Sequence, residues 1–351
     1  MGWDIFCRVI DNHGDAGVCW RLAAELAARG EAVRLWIDEP APLRWLAPPG
    51  HPGVQVVTWT DEAPTLPPRQ VVIEAFGCDP PPAFVARMAA AQPPPAWINL
   101  EYLSAQGYVE RNHGLPSPVA NGPGAGLVKH FFYPGFTQRT GGLLREADLQ
   151  ARRQAFDRSG WLQQAGIAKP ADRQVSLFCY EPPALDRLLG QLATGPHTTD
   201  LLVTAGRAAA ATRAAVAQLG TDWNAAGRLR LHWLPLLSQR DFDHLLWACH
   251  FNFVRGEDSL ARALLAGVPF VWQLYEQDDA AHHDKLEAFL DWLAPPAPLR
   301  QAFRCWNGVA AAPLPPLDHA AWAEFAAAAR QRALALPELA AGLQRFVGRR
   351  R

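Results

Sequence analysis

Across 351 residues the chain is 49% hydrophobic and 19% charged, and its 33 Lys and Arg nearly cancel 34 Asp and Glu. That balance excludes a disordered polymer and offers no basic excess of the kind a nucleic-acid partner requires. The length exceeds what one core ordinarily supports, so two domains are expected.

The first half alternates strand and helix signals. IFCRVI (5–10) reads as a strand and GVCWRLAAELAARG (17–30) as a helix. Val18, Leu22 and Leu26 fall on one helical face, Arg21, Glu25 and Arg29 on another, and Gly30 is a natural stop. VRLWID, VQVVTWT, VVIEAF and WINLEYL follow as runs apolar on both faces, the signature of a parallel sheet covered by helices. Residues 104–145 read as irregular, either a mere connector or, being long for one, an ordered functional loop, and 146–170 as helical and charged, with AKPADRQ as a domain joint. A second alternation begins at Val175 with VSLFCYE, LLVTAG, LRLHWLPLL, FNFVRG and VPFVWQ, separated by Ala-rich helices. The segment PELAAGLQRFVG carries apolar residues at helical spacing and suits a terminal helix packing back on the first domain. The expected division is residues 1–168, residues 169–330, and a helical tail of 331–351.

Six cysteines show no CxxC pair, which argues for buried thiols in a reducing compartment rather than a zinc site or a disulfide frame. MGWDIFCRVI lacks the features of a secretory leader. No window reaches the roughly 18 apolar residues of a membrane span. A soluble, cytoplasmic protein is expected.

Two strand-to-helix junctions could carry chemistry. In FVRGEDSLARALLAG a strand hands over to a helix through a polar knot. Ligands of open parallel sheets bind beyond the strands' carboxyl ends, where the next helix presents free N–H groups to an anion. Arg255 adds a planar cationic fork suited to phosphate, and Ser259 a hydroxyl donor. The alternative is that Asp258 or Ser259 simply caps the helix. In VIDNHGDAGVCW, GDAG (14–17) gives a Gly-x-x-Gly turn too short for a Rossmann or P-loop fingerprint. Asp11 and Asp15 are there either as turn and cap residues or as carboxylates that accept a nucleophile's proton. Asp241-Phe242-Asp243 spells a DxD, but it opens a helix, where capping is the simpler role. Asp279 and His283 sit at i,i+4 without a third ligand and read as a solvated face. Phe178 and Tyr180 alternate along VSLFCYE, as core residues or as a stack for a base.

The motifs IFCRVIDNHGDAGVCWRLA, INLEYLSA, LPSP, GFTQRTGGLLRE, LSQRDFDHLLW and VRGEDSLARALLAGVPFVW, in that order over nearly the whole chain, resemble the arginine rhamnosyltransferases that modify bacterial elongation factor P. The resemblance implies a GT-B fold of two facing Rossmann-like α/β domains with an interdomain cleft. It implies inverting, metal-independent transfer of L-rhamnose from dTDP-β-L-rhamnose to an arginine of elongation factor P, with no cofactor and no nucleic-acid or membrane partner. Asp15, Asp11 and Glu257 are then the essential carboxylates. Asn12, His13 and Gly14 join Asp15 in lining the substrate, as do Arg255, Gly256, Asp258 and Ser259 around Glu257. Tyr180, Gln239 and Tyr275 match donor-contacting positions, and Phe178 and Phe242 match positions packing on thymine. Leu236 departs from the family where a base-stacking phenylalanine is expected, and His13 where another aromatic is expected.

Competing readings are a GT-B enzyme with another donor and a glycan or small-molecule acceptor, and a docking module with a degenerate nucleotide-sugar pocket. An NAD-dependent oxidoreductase would need a GxGxxG with a downstream acidic residue, and none is present.

Overall fold

The computed structural model describes residues 1–9, 13–60, 65–276 and 281–349. The chain divides into two compact units, residues 1–149 with 336–351, and residues 150–335.

The first unit contains β1 (Gly2–Cys7), α1 (Gly14–Ala28), β2 (Ala32–Ile37), α2 (Leu43–Leu46), β3 (Val54–Thr58) and β4 (Val71–Ala75). It continues through α3 (Pro82–Ala90), β5 (Ala96–Leu100), α4 (Gly107–Asn112), β6 (Pro116–Pro118) and β7 (Val128–Phe132). The sheet order is β3-β2-β1-β4-β5-β7-β6, parallel except for β6 against β7. Alternate residues of β1 serve two cores: Trp3, Ile5 and Cys7 pack with α1, while Phe6 stacks on Trp36 at 5.0 Å on the other face. Both faces are covered, which is why these strands read as unbroken apolar runs. The buried charge of Asp4 is met by Arg34 at 2.6 and 2.8 Å, its register partner on β2, and by Trp36 Nε1 at 2.9 Å.

The second unit follows α5 (Leu149–Gln154), which starts at the division, with α6 (Arg158–Gln164), β8 (Arg173–Leu177), α7 (Leu185–Thr194), β9 (Thr199–Val203) and α8 (Arg207–Gln218). Then come β10 (Leu229–Trp233), α9 (Gln239–Ala248), β11 (Phe251–Arg255), α10 (Gly256–Ala266) and β12 (Phe270–Gln273). Three helices complete it, α11 (Ala281–Leu293), α12 (Ala297–Trp306) and α13 (His319–Leu334). Its five parallel strands run β10-β9-β8-β11-β12.

Three sequence expectations need correction. The division falls at 149/150 rather than 168/169, because Leu162 and Ile167 share a core with Leu202, Leu245 and Cys249 of the second unit. The helical tail does pack on the first unit as expected: the chain rejoins that unit at Leu336, and the final helix α14 (Leu339–Gly348) places Leu339, Leu343 and Val347 in the core beside α1. Residues 104–145 are no mere connector: they contain α4, β6 and β7, and β7 pairs parallel with β5. GDAG is no open turn either, since residues 14–17 form the first turn of α1. All six cysteines are buried free thiols, and among the described residues no helix is long and apolar enough to cross a membrane.

Candidate functional site

Each sheet reverses its winding at one point, between β1 and β4 in the first unit and between β8 and β11 in the second. At such a switch point the connections leave to opposite sides and open a crevice beyond the strand ends. The sequence motifs fall on these two points.

In the second unit β8 ends at Leu177, so Phe178 and Tyr180 lie beyond the strand rather than on it. Arg255 closes the neighbouring β11, and its guanidinium carbon sits 4.5 Å from each of the Phe178 and Tyr180 ring centroids. One guanidinium nitrogen donates to the Cys179 carbonyl at 2.9 Å, which fixes the fork's orientation. Burial lowers the Arg255 pKa, with the Arg207 charge acting in the same direction. Burial also pushes the Tyr180 phenol up to about 12, keeping it a neutral donor. Phe242 of α9 meets Phe178 edge-on at 5.2 Å, and Tyr275 meets Tyr180 at 5.5 Å. The result is a patch of aromatic faces around the Arg255 guanidinium, chemistry that suits a nucleobase beside its phosphates.

Directly after Arg255, Gly256 takes φ +70°, a left-handed turn that costs a side-chain-bearing residue but not glycine. A Cβ there would also lie 3.6 Å from the Tyr180 hydroxyl. This turn starts α10 abruptly, with Arg255 as N-cap and no side-chain cap, so neither Asp258 nor Ser259 plays the capping role. The Ser259 hydroxyl donates back to the Arg255 carbonyl and is only 5% exposed. Glu257 pairs with Lys285 of α11. Gln239 opens α9 one turn before Phe242, and Leu236 lies in the preceding loop, 56% exposed.

In the first unit Asp15 stands in the opening turn of α1, where a carboxylate is favoured by the helix dipole. The Tyr102 hydroxyl reaches to 3.4 Å from its Oδ2, and Tyr102 stacks on Phe76 at 4.4 Å. Phe76 itself holds φ +58° just after β4, a strained position at the switch-point edge. His13 precedes α1 as its N-cap residue, without a side-chain cap, and meets Trp45 edge-on. Asp11 and Asn12 lie outside the described residues.

The structure therefore brings Phe178, Tyr180, Phe242, Arg255, Gly256 and Tyr275 together in the second unit and sets Asp15 with Tyr102 in the first. The DxD is spent on structure. Ser238, not Asp241, is the N-cap of α9, and buried Asp243 is held by Arg262 at 2.8 and 2.6 Å and by Arg152 at 3.1 Å. Asp279 lies outside the described residues. Sequence reasoning missed Tyr102, Phe76, Arg207 and Lys285. EYL within WINLEYL, ending a strand with a carboxylate and an aromatic, was a usable signal for Tyr102 only.

The family model described as elongation-factor P (EF-P) rhamnosyltransferase EarP matches residues 3–348. The chain belongs to the EarP family. It is a glycosyltransferase. The protein-arginine rhamnosyltransferase of Pseudomonas putida is 47% identical over 307 residues, 82% of this chain and 80% of the relative. That of Pseudomonas aeruginosa is 43% identical over 330 residues, covering 87% and 86%. A solved structure giving the structural basis for EarP-mediated arginine glycosylation of translation elongation factor EF-P superposes with a TM-score of 0.67 at 32% identity, over 99% of both chains. The spinosyn forosaminyltransferase SpnP, at 14% identity over 99% of both chains, shares the fold with a TM-score of 0.52. The two parallel-sheet units are thus of the GT-B class.

Proposed function

We propose that this EarP-family chain moves L-rhamnose from dTDP-β-L-rhamnose to one arginine side chain of elongation factor P, in the cytoplasm, with inversion and without a metal ion. The observation that carries the donor half is Arg255, set over Phe178 and Tyr180 at the head of α10. Thymine stacks against Phe178 and Phe242, while the diphosphate meets the Arg255 fork and the first N–H groups of α10. Leu236 adds no ring, so this aromatic pair bears the base alone. Tyr275 and Gln239 border the donor, and Glu257, held by Lys285, takes the sugar hydroxyls.

The acceptor half rests on the family and on Asp15. A guanidinium has a pKa above about 12 and attacks only when a proton is withdrawn or its charge localised. In the step proposed, a guanidinium nitrogen forms a bond to the anomeric carbon, and the carbon–oxygen bond to the diphosphate breaks. dTDP leaves with the electron pair, and the nitrogen's proton passes to the Asp15 carboxylate. Asp11, four residues earlier, is assigned to the same guanidinium. The diphosphate's growing charge is stabilised by Arg255 and the α10 dipole, a role that other enzymes give to a metal.

Intact-mass analysis of elongation factor P incubated with this protein and dTDP-rhamnose tests the reading. The expected result is one added deoxyhexose on an arginine, lost with Asp15→Asn and with Glu257→Ala while dTDP still raises the melting temperature of both variants. Unmodified elongation factor P beside intact dTDP binding would move the acceptor elsewhere, and full activity in Asp15→Asn would remove Asp15 from the step.

A further inference from the structure

Two guanidinium groups share the Tyr180 ring. Arg255 lies 4.5 Å from its centroid, and Arg207, the first residue of α8, lies 4.8 Å away. Arg207 comes from the end of β9, the strand beside β8, and reaches the same edge because Gly206 turns the chain at φ +85° and ψ −135°. Such a backbone position is nearly closed to other residues. Two like charges at one ring repel each other, and the ring's negative face offsets only part of that.

Glu181, next after Tyr180, takes the remainder. Its carboxylate fills the Arg207 fork from both oxygens, one accepting from Nε at 2.9 Å and the other from a terminal nitrogen. This bridge differs from the buried ion pairs of the protein, since Arg207 is 42% and Glu181 55% exposed. Solvent screens this carboxylate–guanidinium fork and leaves it open to exchange, and a phosphate matches the same bidentate geometry with more charge.

We propose that Arg207 is a second cation for the donor's diphosphate, and that Glu181 competes with that diphosphate for the Arg207 fork. The inference rests on the assignment of the donor to the Phe178–Arg255 site. It makes Glu181 a brake on donor and product affinity, so the two members of one ion pair carry opposite effects.

Titration calorimetry with dTDP, and ligand-observed NMR with thymidine as the probe lacking phosphates, separate the possibilities. Arg207→Gln is expected to weaken dTDP about tenfold, the loss of one charge-assisted contact, and to leave thymidine unchanged. Glu181→Gln is expected to tighten dTDP several-fold, and by less in an Arg207→Gln background, because part of the brake acts through Arg207 while the Glu181 charge also reaches Arg255. Equal weakening of dTDP and thymidine by Arg207→Gln would reduce Arg207 to a prop for Tyr180 and overturn the proposal. So would Glu181→Gln leaving dTDP unchanged or weaker. If Arg255→Gln abolishes dTDP binding while Arg207→Gln does nothing, the donor assignment stands and this inference falls. If the unaltered protein binds no dTDP, the donor assignment fails first and takes the inference with it.

Discussion

Arg255→Lys separates the shape of the Arg255 cation from its charge. The guanidinium donates to the Cys179 carbonyl at 2.9 Å and spreads over two rings at 4.5 Å each. A lysine keeps the charge, but its compact ammonium on a flexible stem cannot hold the carbonyl, both rings and a bidentate phosphate at once. The carbonyl contact is made before the donor binds, so its loss bears on orientation and stability, whereas losing one of two charge-assisted bonds to the diphosphate costs about 1.5 kcal/mol of transition-state binding. That corresponds to a fall in donor kcat/KM of roughly 13-fold. Initial rates against dTDP-rhamnose concentration, with elongation factor P saturating, measure it, and circular dichroism checks the fold. Arg255→Ala, which removes the charge as well, should fall further. A lysine variant within threefold of the unaltered protein would refute the reasoning, since a point charge would then suffice and the fork geometry would play no part.

Three other outcomes follow from the structure. Asp243→Ala leaves Arg262 buried without its carboxylate and should lower the unfolding free energy of the second unit by about 3–5 kcal/mol in urea denaturation; unchanged stability with activity restored by added manganese would return the DxD to a metal role. Gly256→Ala forces a side-chain-bearing residue to φ +70° at a cost of about 1–2 kcal/mol and tilts the head of α10; an unaltered melting temperature together with an unaltered donor KM would contradict it. Glu74, buried in β4 and bonded by Lys129 and Trp97, has its carboxyl raised by burial from 4.5 to about 7. A folded-state pKa above the unfolded one gives stability that is complete below pH 4.5 and lost as pH rises through about 7. Glu74→Gln should therefore flatten the decline in melting temperature between pH 5 and pH 8, and an undiminished decline would point to other groups.

Strand identity was legible in the sequence because both sheets are covered on both faces. VVIEAF and FNFVRG had no polar face to disguise them, and the observed β4 and β11 fall within those runs. β7 escaped notice because it lies one strand from the sheet edge, and VKHFF carries a lysine and a histidine at partly exposed positions. The RGEDS knot was legible because a strand that must turn into a helix within one residue needs glycine at a left-handed position, and the cation precedes it.

What the sequence by itself determined is the local chemistry: which segments bury themselves, where strand hands over to helix, and which carboxylates and cations stand at those junctions. These follow from spacings of two to four residues, the reach of strand and helix periodicity. Only the tertiary structure decided the long-range pairings. Glu257 meets Lys285 across 28 residues, Arg207 meets Glu181 across 26, and Tyr102 reaches Asp15 across 87. The same holds for the division at 149/150 and for the terminal helix that rejoins the first unit through Leu339 and Leu343. An amphipathic stripe states that a face must be buried but not against what, and strand order, which brings β9 beside β8 and β8 beside β11, supplies that answer.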